Sequence, residues 1–222
     1  MELNSGLTSN SATASPVAAS GAPLLSRRSL QKEETHERIV RAALHLFERR
    51  GFAATRTQDI AEEAGISHGS IFVHFKTRDE LLVHVCLRFL TAVDARTREA
   101  LRGCASLESF LQGHLEALVP SEALYTRLLQ ELSGLPPEIR TALLENQSGV
   151  SAHLKMALRN NELLGLEPSE HHFLFNAWMG TLTHYLLNRD TFTTSDRLLE
   201  EQGSAIISLF LKLAHGGRGL NH

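Results

Sequence analysis

The sequence predicts an all-α protein, and three observations carry that prediction. Apolar residues recur at helical spacing through almost the whole chain beyond residue 35, Gly, Pro and capping residues punctuate that pattern at short intervals, and no alternating strand pattern with hairpin turns competes. With 222 residues, 42% hydrophobic, 21% charged and 6% aromatic, the chain has the composition of an ordinary globular protein with a sizeable core. Its 22 basic and 25 acidic side chains give a formal charge of −3, too balanced to coat a nucleic acid or a membrane by bulk charge. Any nucleic-acid contact is therefore expected to be local.

Residues 1–31 are rich in Ser, Ala, Thr, Gly and Pro and read as a flexible tail that cannot offset the entropy of ordering. An amphipathic helix is expected from about Thr35 to Arg50, with Ile39, Ala43, Leu46 and Phe47 on one face and Gly51 just past its end. A shorter one follows from Thr57 to Ala64, closed by Gly65. Ser67 is placed to cap a third, which runs to about His74 with Ile71, Phe72 and Phe75 pointing inward. Thr77-Arg78-Asp79-Glu80 has the form of a capping box opening a long helix through Leu81, Leu82, Val85, Phe89 and Leu90 to about residue 100. Beyond it the pattern predicts helices over about 107–118, 121–133, 137–163, 169–187 and 196–214, with Pro136-Pro137 and Pro168 marking starts. The expected organisation is a tail (1–31), a small three-helix head (32–80) and a larger helical bundle (81–222), joined through the fourth helix.

Chemistry concentrates in residues 55–75, where two short helices meet at Gly65-Ile66. Gly65 supplies backbone freedom for a tight turn, Ile60, Ala61, Ile66 and Ile71 pin the helices together, and His68, Gly69 and Ser70 leave the start of the second helix uncluttered. That is a helix-turn-helix signature, in which the second helix enters the major groove and its first turn must approach the bases.

These residues resemble the tetracycline-repressor (TetR) family of bacterial transcriptional regulators. The resemblance rests on Phe47, Gly51-Phe52, Thr55, Asp59-Ile60-Ala61, Ala64-Gly65-Ile66-Ser67, Gly69, Phe72, His74-Phe75-Lys76 and Arg78-Asp79-Glu80-Leu81-Leu82. It covers about residues 35–85 closely, and the remainder matches only in length and helical character. It implies a homodimer on a near-palindromic operator, released when a small molecule binds the C-terminal domain. Carried over residue by residue, it implies that Thr57 and Gln58 begin the helix lying across the DNA backbone. His68, Gly69, Ser70 and Val73 then face base edges, and His74, Lys76 and Arg78 hold phosphates on the other side. Arg56 is in reach of either a phosphate or a base. One departure is Phe72, where the family usually carries a Tyr whose hydroxyl meets a phosphate. A second is Val73, whose apolar side chain suits a thymine methyl.

Charge agrees in sign. Residues 26–80 carry ten basic and nine acidic side chains, and residues 81–222 twelve and fifteen. Arg27-Arg28, read as part of the tail, suits a basic arm entering a neighbouring minor groove, although most such pairs are only solvated surface. The last two helices carry wide apolar stripes (Phe173, Leu174, Ala177, Trp178, Leu182, Tyr185, Leu186; Leu198, Leu199, Ile206, Ile207, Phe210, Leu213), more than a short bundle is expected to hide. With the resemblance, the expected partner for them is a second copy of the chain. An effector pocket inside the bundle is expected to draw on Tyr125, Met156, Phe175, Trp178 and Met179, each equally acceptable as plain core.

No cofactor is expected. The twelve histidines show no ligand spacing on one helix face, so no metal is expected either. Cys86 and Cys104 cannot form a disulfide framework and read as small buried hydrophobes in a reducing compartment. The start Met-Glu-Leu-Asn lacks the features of a secretory signal, and the most apolar stretch, 205–214, falls well short of the ~20 residues of a membrane span, so a cytoplasmic protein is expected. Two other functions fit less of the sequence. One is a helix-turn-helix protein controlled by a protein partner without a small molecule. The other is an enzyme on a helical scaffold, for which no nucleophile–base motif or phosphate loop stands out.

Overall fold

A computed structural model describes residues 27–158 and 170–216, and within them nine α-helices and no strand. They are α1 (Arg27–Arg50), α2 (Thr57–Glu63), α3 (His68–His74), α4 (Arg78–Ala100), α5 (Leu107–Leu118), α6 (Glu122–Glu131), α7 (Pro137–Leu158), α8 (His171–Leu187) and α9 (Leu198–Gly216). The all-α architecture is therefore that read from the periodicity, with most interior boundaries within a residue or two.

The first helix is longer than its apolar pattern. It begins at Arg27, so Arg27 and Arg28 form its first turn and are not part of a flexible tail. Residues 28–35 bury no large side chain and give no hydrophobic period, yet Leu30, Gln31, Lys32, Glu33 and Glu34 are good helix formers, and the Thr35 hydroxyl bonds back to the Gln31 carbonyl. The remainder of the expected tail, residues 1–26, lies outside the described residues, as do 159–163 of the seventh expected helix.

Ile39, Val40, Ala43, Leu46 and Phe47 on α1 are buried where that helix packs against α2 and α4, and α3 packs in turn on α2. The chain leaves α1 through Gly51 at φ +85°, a conformation that disfavours any side chain. It then turns back so that Phe52 stacks on Phe47, ring centres 4.7 Å apart. α4 carries the core from this head into the bundle, with Leu81, Leu82, Val85 and Cys86 buried at the head end and Phe89, Leu90 and Val93 facing α5 and α7. Its start is capped as the sequence suggests: the Thr77 hydroxyl accepts the Glu80 amide at 3.0 Å. The Glu80 carboxylate reaches one residue further back than a standard capping box, to the Lys76 amide at 2.7 Å.

Head and bundle also meet where α1 packs on α6. There the Glu131 carboxylate, at the end of α6, accepts the backbone amides of Phe52 and Ala53 at 3.0 and 2.7 Å. A second carboxylate works the same way inside the bundle, where Glu122 accepts the Leu198 and Leu199 amides at 2.9 and 3.0 Å and closes the N-terminus of α9. Burial pushes the Glu122 carboxyl upward, and these two amides pull it back.

The apolar stripes of α8 and α9 divide differently from the expectation. Trp178, Leu182, Leu186, Leu198, Leu199, Ile206, Ile207 and Phe210 are buried within the chain itself, because α5, α6 and α7 cover them. The apolar side chains that reach the surface here are Phe173, Leu187, Leu209 and Leu213.

Trp178, fully buried, donates its indole N–H to His114 Nδ1 at 2.9 Å. Nδ1 is therefore unprotonated, and burial pushes the His114 pKa down to about 4 from 6.5. The unfolded chain thus binds this proton more readily than the folded one, so the folded state loses stability as pH falls below 6.5. The loss reaches about 3 kcal/mol by pH 4 from this group alone. Urea unfolding at a series of pH values should show it, and His114→Gln, which keeps an acceptor for Trp178 but cannot titrate, should lose correspondingly less. Equal acid sensitivity in both proteins would remove His114 as its source.

Candidate nucleic-acid interface

The helix pair α2–α3 turns at Gly65, φ +64°, where the Ile66 amide bonds to the Ala61 carbonyl at 3.0 Å. Ile60, Ala61, Ala64, Ile71 and Phe75 are buried between the pair and α1, as the pattern of small and branched residues requires. The turn is fastened from outside by a residue the sequence reading did not single out. Arg38, on α1, donates to the Ala64 carbonyl, and to the Gly65 carbonyl at 3.0 Å. A cation on the last carbonyls of a helix satisfies orphan acceptors and suits the helix dipole. Its partners are 26 and 27 residues away, so spacing along the chain carries no sign of it.

A third tie joins the two helix starts, where His68 Nε2 lies 2.9 Å from the Thr57 hydroxyl. At the α3 N-terminus Ser67 takes the extended backbone of a cap, but its hydroxyl pairs with the Ser70 hydroxyl at 2.7 Å and not with a helix amide. Asp59 closes the start of α2 by accepting the Arg56 amide at 2.9 Å.

The outer ridge of this pair presents Arg56, Gln58, His68, Gly69, Phe72 and Val73, with Thr57 and Ser70 half-buried between them. Phe72 does not point inward with Ile71 and Phe75 as expected: it follows Ile71 directly, about 100° further round the helix, and is 44% exposed, with Val73 70% exposed beside it. A Cβ placed on Gly69 meets nothing within 4 Å, so the fold itself does not require glycine there. What its absence provides is a low surface over the first turn of α3.

The three basic residues expected beyond α3 differ in how available they are. Lys76 is exposed, and only its backbone amide is engaged, by Glu80. Arg78 turns one edge of its guanidinium inward, donating to the Phe52 carbonyl at 2.7 Å, which ties the α4 start to the turn after α1. His74 is half-buried, its ring 5.8 Å from that of His36. His36 in turn sits 3.1 Å (Nε2 to Nε2) from His84 on α4 and 4.8 Å from the Phe75 ring. Burial lowers the pKa of His74, with Lys32 adding to it, and burial together with His84 and His74 lowers that of His36. At neutral pH His74 is a neutral donor and not a cation, unlike the phosphate-binding charge that its position suggests.

The residues considered for an effector pocket do not form one group. Tyr125, Phe175, Trp178 and Met179 are buried in the bundle, but Met156 is 52% exposed on α7 and lines no interior wall. Its place in the helical period leaves it on the outer face, between the buried Leu154 and Ala157. Among the described residues no helix is long and apolar enough to cross a membrane, and no group of three or more His, Cys, Asp or Glu side chains is arranged to hold a metal.

Comparison with known proteins bears directly on this helix pair. Residues 39–85 match the family model of bacterial regulatory proteins of the tetR family. This segment is similar to the N-terminal domain of TetR-family transcriptional regulators. YerO of Bacillus subtilis, described as an HTH-type transcriptional regulator, is 47% identical over 53 residues, 24% of this chain and 18% of YerO. The HTH-type transcriptional repressor KstR2 of Mycolicibacterium smegmatis is 29% identical over 113 residues, 48% of this chain and 55% of KstR2. The matches thus span less than two thirds of these relatives. In overall fold the chain is similar to the regulator FadR from Bacillus subtilis, solved with stearoyl-CoA. The TM-score is 0.61 and the identity 19%, covering 79% of this chain and 97% of that one.

Two substitutions probe the ridge. Arg38→Ala should destabilise the protein by about 1–3 kcal/mol, because it leaves two helix-end carbonyls without their donor; an unchanged urea midpoint would show that water replaces it fully. Gly69→Ala should leave stability unchanged or raise it by up to ~1 kcal/mol through helix propensity while weakening DNA binding. Unaltered DNA affinity in that variant would mean that the first turn of α3 does not approach the duplex.

Proposed function

We propose that this protein is a TetR-family regulator: a cytoplasmic, dimeric, ligand-responsive repressor that binds a near-palindromic operator and is released by a small molecule. The observation that carries the reading is the outer ridge of α2 and α3, a rigidly tied helix pair whose first α3 turn is low and whose exposed side chains include Arg56, His68, Val73 and Lys76. In this reading Thr57 and Gln58 meet the backbone of the duplex, and His68, Gly69, Ser70 and Val73 face base edges. Lys76 and the free edge of Arg78 hold phosphates, with Arg56 beside them, and His74 contributes a neutral hydrogen bond. Val73 favours a thymine methyl.

Residues 32–80 act as the reading head and 81–222 as the effector and dimerisation domain. The outward Phe173, Leu187, Leu209 and Leu213 of α8 and α9 pair with a second copy, which sets the two α3 helices ~34–36 Å apart, one turn of duplex. Tyr125, Phe175, Trp178 and Met179 are the side chains offered to an effector. That FadR is solved with stearoyl-CoA supports a mostly apolar ligand class for this bundle. Such a molecule shifts DNA affinity only by its preference for one arrangement of the heads, and α4, common to head and bundle, transmits it. The role requires no catalytic residue.

Selection of bound sequences from random duplex DNA at near-physiological salt tests this reading. A palindrome with half-sites ~10 base pairs apart is expected, and no enrichment by folded protein would overturn it. With the selected duplex, Lys76→Ala should lower affinity for all sequences and reduce the slope of log K against log salt by about one. An unchanged slope would remove Lys76 from the phosphate contacts. Phe72→Tyr should tighten binding by supplying a phosphate donor, and no gain would mean that this side chain faces elsewhere.

A further inference from the structure

We infer that Glu131, on α6, is a positioning residue for the reading head, so that the attitude of α2 and α3 is set by α6 as well as by α4. The inference rests on the DNA-binding reading above. Its basis is the bidentate grip of one carboxylate on two successive amides of the turn that leads into α2, with Oε1 on Phe52 and Oε2 on Ala53 at 3.0 and 2.7 Å. Two charge-assisted bonds to different oxygens fix direction as well as distance.

The turn is shaped for this contact. A Cβ on Gly51 would lie 2.2 Å from Glu131 Oε1, so a side chain there would push the carboxylate off the two amides, in addition to the strain of the positive φ. The carbonyl side of the same turn is held separately: Phe52 gives its oxygen to Arg78 at 2.7 Å, and Gly51 gives its oxygen to the Thr55 hydroxyl at 2.7 Å. The amides thus belong to α6 and a carbonyl to the start of α4, and Arg56 and Thr57 follow immediately. Beyond the joint the head and the α6–α7 connection part, leaving a groove of about 700 Å³ with Arg56 and His68 on one wall and Ser133 and Leu135 on the other. Tilting the head to widen or close that groove therefore strains the Glu131 bonds.

Local helix physics does not account for the residue. Glu131 is the last residue of α6, where a negative charge faces the negative end of the helix dipole. An acid there is disfavoured unless something outside the helix receives it, and the Phe52 and Ala53 amides do.

The test uses the full chain and Glu131→Gln. The amide side chain retains the shape and one acceptor but turns an NH2 toward the second backbone N–H. Hydrogen exchange at Phe52 and Ala53 should accelerate by at least about tenfold while buried amides of α5 are unchanged. Affinity for the selected duplex should fall by about tenfold with the salt slope unchanged, because no phosphate contact is lost. Glu131→Asp, which keeps both oxygens on a shorter stem, should recover part of each effect and serves in its place if the Glu131→Gln protein fails to fold. The sign discriminates: a surface acid near DNA with no positioning role would, once neutralised, tighten binding through reduced repulsion. Tighter binding, or unaltered exchange at Phe52 and Ala53, would overturn the inference. If the wild type enriches no duplex, the DNA-binding reading fails by itself, and the exchange measurement still decides whether the grip exists.

Discussion

Neither seven-residue helix of the reading head can persist alone in water, since a segment that short does not recover the cost of helix nucleation. Whatever α2 and α3 present to a partner depends on the apolar wall of α1, on which α2 packs and to which α3 is joined through α2. Ile39, Ala43, Leu46 and Phe47 provide that wall, and Ile60, Ala61, Ile71 and Phe75 complete it from the other side. Removing even one large side chain from so small a core leaves little to redistribute the loss. α1 also packs on α6, so this helix belongs to both parts of the molecule.

Much of this was legible in the sequence because it is local. Gly51 and Gly65 sit where helices end and take positive φ, and Thr77 caps α4 three residues before Glu80. The helix pair could be read at residue level for the same reason, since its turn, pin and low first turn all fall within about twenty residues. Less legible was anything whose partner lies far away. Arg38 on the Ala64 and Gly65 carbonyls, Glu131 on the Phe52 and Ala53 amides and Glu122 on α9 leave no periodic trace. The start of α1 escaped for a different reason, because a fully solvated helix turn has propensity but no hydrophobic period. The stripes of α8 and α9 were found correctly as apolar, and only their destination differed: periodicity says which face is buried, not against what.

The histidines show how environment separates side chains that look alike in a sequence. His114 is enclosed and neutral, an acceptor for Trp178 in the bundle core. His36, His74 and His84 gather around Phe75, where α1, α3 and α4 converge, and mutual proximity and burial together disfavour charge on His36. His68, on the exposed ridge, bridges the two helix starts through Thr57. Of these, His114 is fully enclosed, the three around Phe75 are half-buried and His68 is exposed.

The long-range closures have a consequence for how the chain acquires its structure. Glu122 reaches Leu198 across 76 positions and Glu131 reaches Phe52 across 79, so the N-terminus of α9 and the turn before α2 have unsatisfied amides until distant parts of the chain have arrived. Each closure ties local order to a loop of that length, a cost met before the bond is gained. A nascent chain emerging from the ribosome therefore holds its first three helices without their α6 fastening until residue 131 has emerged, and α6 has its own buried carboxylate uncompensated until α9 follows. Folding of the finished head is in this sense a late event, although its residues are made before those of α6.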